Sequence, residues 1–326
     1  MKTLTISVAA YNIEKYIADL LNHITESNCI NDVEVLIIDD GGTDKTAEIA
    51  NTYCTRFPDS IKFIHKENGG WGSTVNTGIN SASGKYFKLL DGDDYISAKE
   101  LDALVCHLKQ VDADMIYSAF RVFNEGGTVN VYSVPQGVNN NTVDQIKDLK
   151  ADIYPRMHSV VFRTDILKEN HIAIPEHCFY TDVEYVFRTL QFVKTINFFD
   201  GITYNYRISR DGQSVSVPGL KKHYSDHVAV VKRMIDISTS IHVSEKVESI
   251  YQMRVRDLIE AQYIIFWKIG KEHWKDYENF DEYLKQYPAY YQNCSKQVKA
   301  SRIFNKCHCY GLFVSLFNRI KPNASI

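Results

Sequence analysis

The run Leu90-Asp91-Gly92-Asp93-Asp94 puts three carboxylates within four residues, directly after the apolar stretch Tyr86, Phe87, Leu89 and Leu90. Acids this close repel one another unless a cation sits among them, and hard divalent ions take oxygen ligands of this kind. Gly92 lets the backbone turn as soon as the strand ends. In an α/β sheet, the carboxyl end of a strand is also where ligands bind. The alternative is a solvated turn that is merely acidic. A second acidic pair, Asp39-Asp40, closes the apolar stretch 33–38 and runs into Gly41-Gly42-Thr43-Asp44. A third group, Asp182 and Glu184 in Tyr180-Thr181-Asp182-Val183-Glu184, opens a helix, where acids suit the positive helix end even without a function. Between the first two lies the glycine-rich loop Glu67-Asn68-Gly69-Gly70-Trp71-Gly72-Ser73. It forms neither G-x-G-x-x-G after the first strand nor G-x-x-x-x-G-K-[ST], so dinucleotide dehydrogenases and P-loop enzymes fit poorly. An EF-hand starting at Asp91 needs Gly at its sixth position and Glu at its twelfth, where Ile96 and Asp102 stand.

The elements that must position these groups follow from periodicity. Leu4, Ile6 and Val8 alternate with Thr5 and Ser7 into Ala9-Ala10, a first strand closed by Tyr11-Asn12. Asn12 is then the expected N-cap of a helix whose face is Ile13, Tyr16, Ile17, Leu20, Leu21 and Ile24. A second strand over 33–38, a helix marked by Ala47, Ala50 and Cys54, and a third strand over 61–64 follow. After the glycine loop, a helix to about Ser81 leads into the strand that ends at the three acids. This order predicts an α/β fold with a parallel, doubly wound sheet. Ser97-Ala98-Lys99-Glu100 reads as a capping box. Strands are expected over 115–123, 129–134, 196–199 and 202–206, a loop over 207–218, and helices from about Leu220 onward.

Composition narrows the classes. The chain has 326 residues, 44% hydrophobic and 24% charged, which is ordinary for a soluble α/β protein with room for a second, smaller region. A net charge of −3 argues against a nucleic-acid binder. The 21 Tyr and 16 Phe suit sugar or base stacking, and equally a tyrosine-rich core. Seven scattered cysteines point to reduced thiols in a cytosol; for Cys307-His308-Cys309 packed thiols are expected over half a metal site. No charged-then-apolar leader opens the chain, and no apolar stretch reaches the roughly 20 residues that cross a bilayer.

Taken in order, Ser7-Val8-Ala9-Ala10-Tyr11-Asn12, Ile38-Asp39-Asp40-Gly41-Gly42-Thr43-Asp44, Asn68-Gly69-Gly70, Asn76-Thr77-Gly78-Ile79 and Leu90-Asp91-Gly92-Asp93-Asp94 resemble the family-2 inverting glycosyltransferases. The resemblance covers roughly residues 3–215 and implies the GT-A fold, a Rossmann-like and mainly parallel sheet flanked by helices. It implies a glycosyltransferase domain over 1–215; the helical pattern of the remaining region, 216–326, carries no motif of the family. It also implies roles. Ala10, Tyr11, Asp40, Asn68, Gly69 and Asp91 would line the nucleotide, with Tyr11 stacking on the base and Asp40 accepting from it. Asp93 would ligate Mn²⁺ or Mg²⁺, with Asp91 at the ribose or the metal's water shell, and Asp94 would shape the loop. Asp182 would act as general base on the acceptor hydroxyl. For Asp39, ordering of the turn is expected. The chain departs from the family where Thr181 stands for a common Glu and Val75 for an Arg near the diphosphate; Lys66 or Arg207 would supply that cation, or the metal would carry more of the load.

The implied reaction moves one sugar from a nucleotide-sugar donor, a UDP-sugar, to a saccharide or lipid-linked acceptor in capsule, exopolysaccharide or cell-wall synthesis. None of Trp71, Trp267 and Trp274 follows an Arg, so the Gln/Arg-x-x-Arg-Trp motif of processive members is missing. Two other readings stay open: a sugar-nucleotide binding module without catalysis, and a sugar nucleotidyltransferase. Ala9-Ala10-Tyr11-Asn12 is unlike the glycine-rich phosphate loop that usually opens the latter. After Glu282 no acid occurs, while Lys285, Lys296, Lys299, Arg302, Lys306, Arg319 and Lys321 remain. Ile303, Cys307, Tyr310, Val314 and Phe317 step along one helical face; residues 283–326 lying on an anionic membrane is the expectation, and a helix packed on the core with a solvated basic face is the alternative. The expected location is cytoplasmic, peripheral on the inner face of the plasma membrane.

Overall fold

A computed structural model describes residues 1–208 and 216–320. The expected loop over 207–218 and the cation Lys321 therefore fall largely or wholly outside the described residues. The chain divides into two compact units, Met1–Arg210 with Val243–Val247, and Asp211–His242 with Glu248–Ile326.

In the first unit, β1 (Leu4–Ala10), β2 (Val33–Asp39), β3 (Ile61–His65) and β4 (Tyr86–Asp91) alternate with α1 (Ile17–Thr25), α2 (Thr46–Arg56) and α3 (Trp71–Ser81). These four strands are parallel, in the order β3-β2-β1-β4. The order reverses between β1 and β4, the kind of switch point at which such sheets open a ligand crevice. Thr5 and Ser7 are buried along with Leu4, Ile6 and Val8, because a parallel sheet is covered on both faces. The capping box at Ser97 forms as expected and starts α4 (Ala98–Leu108), with Glu100 N–H and Ser97 N–H satisfied reciprocally.

Beyond α4 the sheet becomes mixed. β5 (Met115–Asn124), β6 (Gly127–Tyr132), β7 (Val143–Gln145), β8 (Val160–Arg163), α5 (Thr164–Glu169), α6 (Asp182–Leu190) and β9 (Thr195–Arg207) complete the unit. β8 runs antiparallel to both β4 and β5, while β9 is parallel to β5. The full order is β3-β2-β1-β4-β8-β5-β9-β7, with β6 on β5. The expected strands at 196–199 and 202–206 are one strand, interrupted where Ser118 pairs with Phe199 and Ala119 with Ile202, which leaves Asp200-Gly201 as a bulge.

Asn12 departs from its expected role. Its φ is +51° and α1 begins only at Ile17. Its side chain instead accepts from Thr43 N–H at 2.8 Å and Asp44 N–H at 3.3 Å, closing the loop between β2 and α2. Asparagine tolerates this left-handed conformation better than most residues.

The second unit is helical: α7 (Val217–Ser240), α8 (Glu245–Ile269), α9 (Trp274–Leu284), α10 (Pro288–Gln292), α11 (Lys296–Lys306) and α12 (Tyr310–Ile320). Its core is pinned by Arg302, which donates to Asp281 at 2.6 Å, to the Tyr291 carbonyl at 2.7 Å and to the Tyr263 hydroxyl at 2.9 Å. The single expected face from Ile303 to Phe317 does not exist. His308 adopts φ +57°, its N–H donates to the Asn305 carbonyl, and Cys309 N–H donates to the Phe304 carbonyl. This pair of bonds ends α11 in a Schellman motif. Tyr310, Val314 and Phe317 are buried, whereas Ile303 and Cys307 face solvent. Cys307 and Cys309 are exposed free thiols, contrary to their expected packing. Among the described residues, no helix is long and apolar enough to cross a membrane.

Candidate active site

Two acidic strand ends flank the crevice. At the end of β2, Asp40 is buried and its Oδ1 accepts from Gly69 N–H at 2.9 Å, Lys66 Nζ at 3.0 Å and Ser73 Oγ at 3.1 Å. Its Oδ2 accepts from Gly70 N–H at 2.8 Å, and its carbonyl from Asn68 Nδ2 at 2.8 Å. Asp40 N–H donates to the Ala10 carbonyl at 2.8 Å, so Ala10, Asp40, Asn68 and Gly69 form one network. Gly70 has φ +81°, where a Cβ would also stand 3.3 Å from the His177 nitrogen. Lys66 thus answers Asp40, and Val75 is buried inside α3. Asp39 accepts from Gly42 N–H and pairs with His65 Nδ1 at 2.7 Å, which orders the turn. Tyr11, at the end of β1, is 55% exposed, an open aromatic face at the crevice edge.

At the end of β4 the three acids meet a different environment. Gly92 is needed there for room: a Cβ would meet Ile13 Cδ1 at 2.3 Å and the Ala9 carbonyl at 2.8 Å. Its φ is not in the left-handed region, so lack of space for a side chain, and not backbone freedom, calls for glycine here. Asp94 is buried and accepts from Tyr204 Oη at 2.7 Å and Arg207 N–H at 2.6 Å. Asp91 Oδ1 accepts from Trp71 Nε1 at 2.7 Å, and Asp91 N–H donates to Tyr204 Oη at 3.1 Å. The Arg207 Nε donates to the Asp93 carbonyl at 3.0 Å, and its guanidinium lies over Phe123. Burial, followed by the charges of Asp93 and Asp91, pushes the Asp94 carboxyl well above the usual carboxylate range. Beneath them Lys88 is wholly buried in β4, donating to the His158 carbonyl at 3.1 Å; burial lowers its ammonium to about 7.

Asp182 is the first residue of α6, following Tyr180 at φ +64° and the buried Thr181. Of the acids in that turn, Glu184 is buried and pairs with Arg188 at 2.9 Å, whereas Asp182 keeps partial exposure. Tyr206 links Asp182 to the other corner. Burial and then the charges of Asp94, Asp91, Asp182 and Asp93 raise its phenol far above its ordinary value. Its ring is fixed 4.7 Å from that of His158. Tyr206 thus lies within electrostatic reach of Asp91, Asp93, Asp94 and Asp182, and hydrogen bonds join Ala10, Asp40, Asn68 and Gly69 in the network at the end of β2.

Sequence reading missed Trp71, Lys88, Tyr204 and Tyr206. Trp71 lies in the loop that its glycines mark, but the two tyrosines come from β9, more than a hundred residues beyond the acids they serve. Among the described residues, no group of three or more His, Cys, Asp or Glu side chains converges to hold an ion by protein ligands alone. An all-oxygen pair, Asp91 and Asp93, with surplus negative charge beside it, fits a Mg²⁺- or Mn²⁺-like ion that takes its other ligands from phosphate and water.

The profile of the family described as "Glycosyl transferase family 2" matches residues 5–169. The poly(ribitol-phosphate) beta-N-acetylglucosaminyltransferase TarS of Staphylococcus aureus (strain MW2) is 26% identical over 219 residues, 66% of this chain and 37% of that relative. The chain therefore matches little more than a third of that relative's length. The crystal structure of S. aureus TarS 1-349 in complex with UDP-GlcNAc superposes with a TM-score of 0.69 at 20% identity, covering 98% of this chain and 92% of the other. The mannosyltransferase PcManGT from Pyrobaculum calidifontis, in complex with GDP-Man and Mn²⁺, gives 0.54 at 13% identity, covering 97% and 86%. The architecture is the GT-A fold with a C-terminal helical region, and the chain belongs to glycosyl transferase family 2.

Proposed function

We propose that this chain is a metal-dependent inverting glycosyltransferase that moves one sugar from a UDP-linked donor to a saccharide or lipid-linked saccharide acceptor in bacterial cell-wall, capsule or exopolysaccharide synthesis on the cytoplasmic side. The observation that carries this reading is the acidic end of β4 at the switch point of the sheet, where Trp71 Nε1 donates to Asp91 and Tyr204 Oη to Asp94. A single in-line displacement needs a base held in the same site as the diphosphate-binding corner, and Asp182 is the acid proposed for it.

Each group then has a task. Tyr11 stacks on the base, and Asp40 Oδ2, which accepts a single N–H from the loop, receives one donor from it. Asn68 and Gly69 wall the nucleotide. Asp93, with Asp91, holds the divalent ion, which when bound offsets the charge growing on the departing UDP. Asp182 takes the proton of the acceptor hydroxyl as the new bond forms, because a sugar hydroxyl is a poor nucleophile near neutral pH. The UDP-GlcNAc complex of the S. aureus relative and the GDP-Man and Mn²⁺ complex of PcManGT support the donor class and the ion.

The test follows UDP release from UDP-GlcNAc, UDP-glucose and UDP-galactose with Mn²⁺ and teichoic-acid or exopolysaccharide acceptors. Asp182→Asn is expected to cost roughly 10²–10⁴ in turnover while leaving UDP affinity within about twofold. A wild-type protein that binds UDP but releases none from any donor would leave a sugar-nucleotide binding module. Pyrophosphate release from a nucleoside triphosphate and a sugar phosphate would mark a nucleotidyltransferase.

A further inference from the structure

The last two helices carry an outward pattern that the donor site does not use. α12 turns Tyr310, Val314 and Phe317 inward, with the Phe317 ring 4.7 Å from that of Trp267. Opposite them Leu312, Leu316 and Ile320, four residues apart, are 55%, 42% and 74% exposed. Arg319 is exposed on the same side of the helix. On α11, Ile303 is 62% exposed and stands between Lys299 and Lys306 on one helical face, with Lys296 a turn earlier. No Asp or Glu follows Glu282 to dilute this charge.

Exposed aliphatic residues scattered singly are normal, but a stripe along an eleven-residue helix, opposite its buried face, is not. Two occupants can be weighed by charge. A second copy of the same face would bring cation against cation. A bilayer of anionic lipid answers both features, taking the aliphatic groups at the boundary of headgroup and acyl chain and the cations at its phosphates. We propose that the outward face of α11 and α12, centred on Ile303, Leu312, Leu316 and Ile320, docks in the plane of an anionic lipid bilayer. The claim is independent of the donor, the acceptor and turnover.

The test is co-sedimentation of the full chain with extruded phosphatidylglycerol vesicles and, in parallel, phosphatidylcholine vesicles. The chain should pellet with the anionic vesicles, and about 0.5 M NaCl should release most of it. Leu312→Ser with Leu316→Ser, and separately Lys306→Glu with Arg319→Glu, should each lower partitioning by roughly tenfold or more, with unchanged circular dichroism. All four positions are exposed, so the fold should survive. Wild-type and variant chains pelleting alike, or a wild type that stays in the supernatant, would overturn the proposal. So would a dimer that the leucine variant dissociates, since the stripe would then be a contact between copies.

Discussion

The two acidic strand ends of the parallel half use the same residue type for opposite purposes. At the end of β2, Asp40 is met by two backbone N–H groups, a hydroxyl and the Lys66 ammonium, so its charge is answered within the fold. At the end of β4, Asp94 is held by neutral donors, the Tyr204 hydroxyl and the Arg207 N–H, and burial, followed by the charges of Asp93 and Asp91, pushes its pKa up. A finished hydrogen-bond network builds a wall. At the end of β4 the like charges of Asp91 and Asp93 stand beside Asp94, and under the proposed function an ion offsets them. Burial alone does not separate the two cases, because Asp40, Asp93 and Asp94 are all buried.

The largest effect that tests this contrast concerns Lys88, the buried cation beneath the acids of β4. Only burial lowers its pKa, from 10.5 to about 7, so Lys88 is no counter-ion for those acids. The unfolded chain keeps this proton up to about pH 10.5 and the folded chain only to about 7. Folding stability therefore rises with pH between these values and is lost again as pH falls through 7, by an amount on the order of 4 kcal/mol. Urea unfolding of Lys88→Met between about pH 6 and 10 should lack this rise. Parallel profiles for wild type and variant would mean that an acid neutralises Lys88. Next in size, Asp40→Ala should cost about 3 kcal/mol, because it strips the partners from Lys66, Gly69 N–H and Gly70 N–H together. Asp94→Asn is the counterpart at the other corner. Its carboxyl already resists ionisation and an amide keeps one oxygen acceptor, so metal-free stability should stay within about 1–2 kcal/mol of wild type. A loss as large as that of Asp40→Ala would erase the distinction between the corners.

The parallel half was legible because its signals are local. Alternation marks β1, short apolar runs mark β2 to β4, and the capping box marks the start of α4. The acids and the glycine loop lie within a few residues of the strand ends they serve. Asn12 misled because an asparagine after a strand serves equally as an N-cap or in a left-handed turn, and only the contact with Thr43 and Asp44 decides between them. The break at His308 escaped periodicity because the apolar spacing continues through it. The antiparallel β8, and the reach of Tyr204 and Tyr206 to the acids, depend on contacts between distant segments that no window of sequence contains. Lys88 was passed over because its neighbours on the strand are apolar.

Under the proposed function, the acids closing β4 hold a divalent ion that grips a nucleoside diphosphate. Calorimetric titration of the full chain with UDP, once with Mn²⁺ and once with excess EDTA, tests it most directly. UDP should bind at least about tenfold more tightly with the ion, a difference of ~1.4 kcal/mol or more, and Asp93→Asn should remove that gain. Equal affinity with and without Mn²⁺ in the wild type would contradict it.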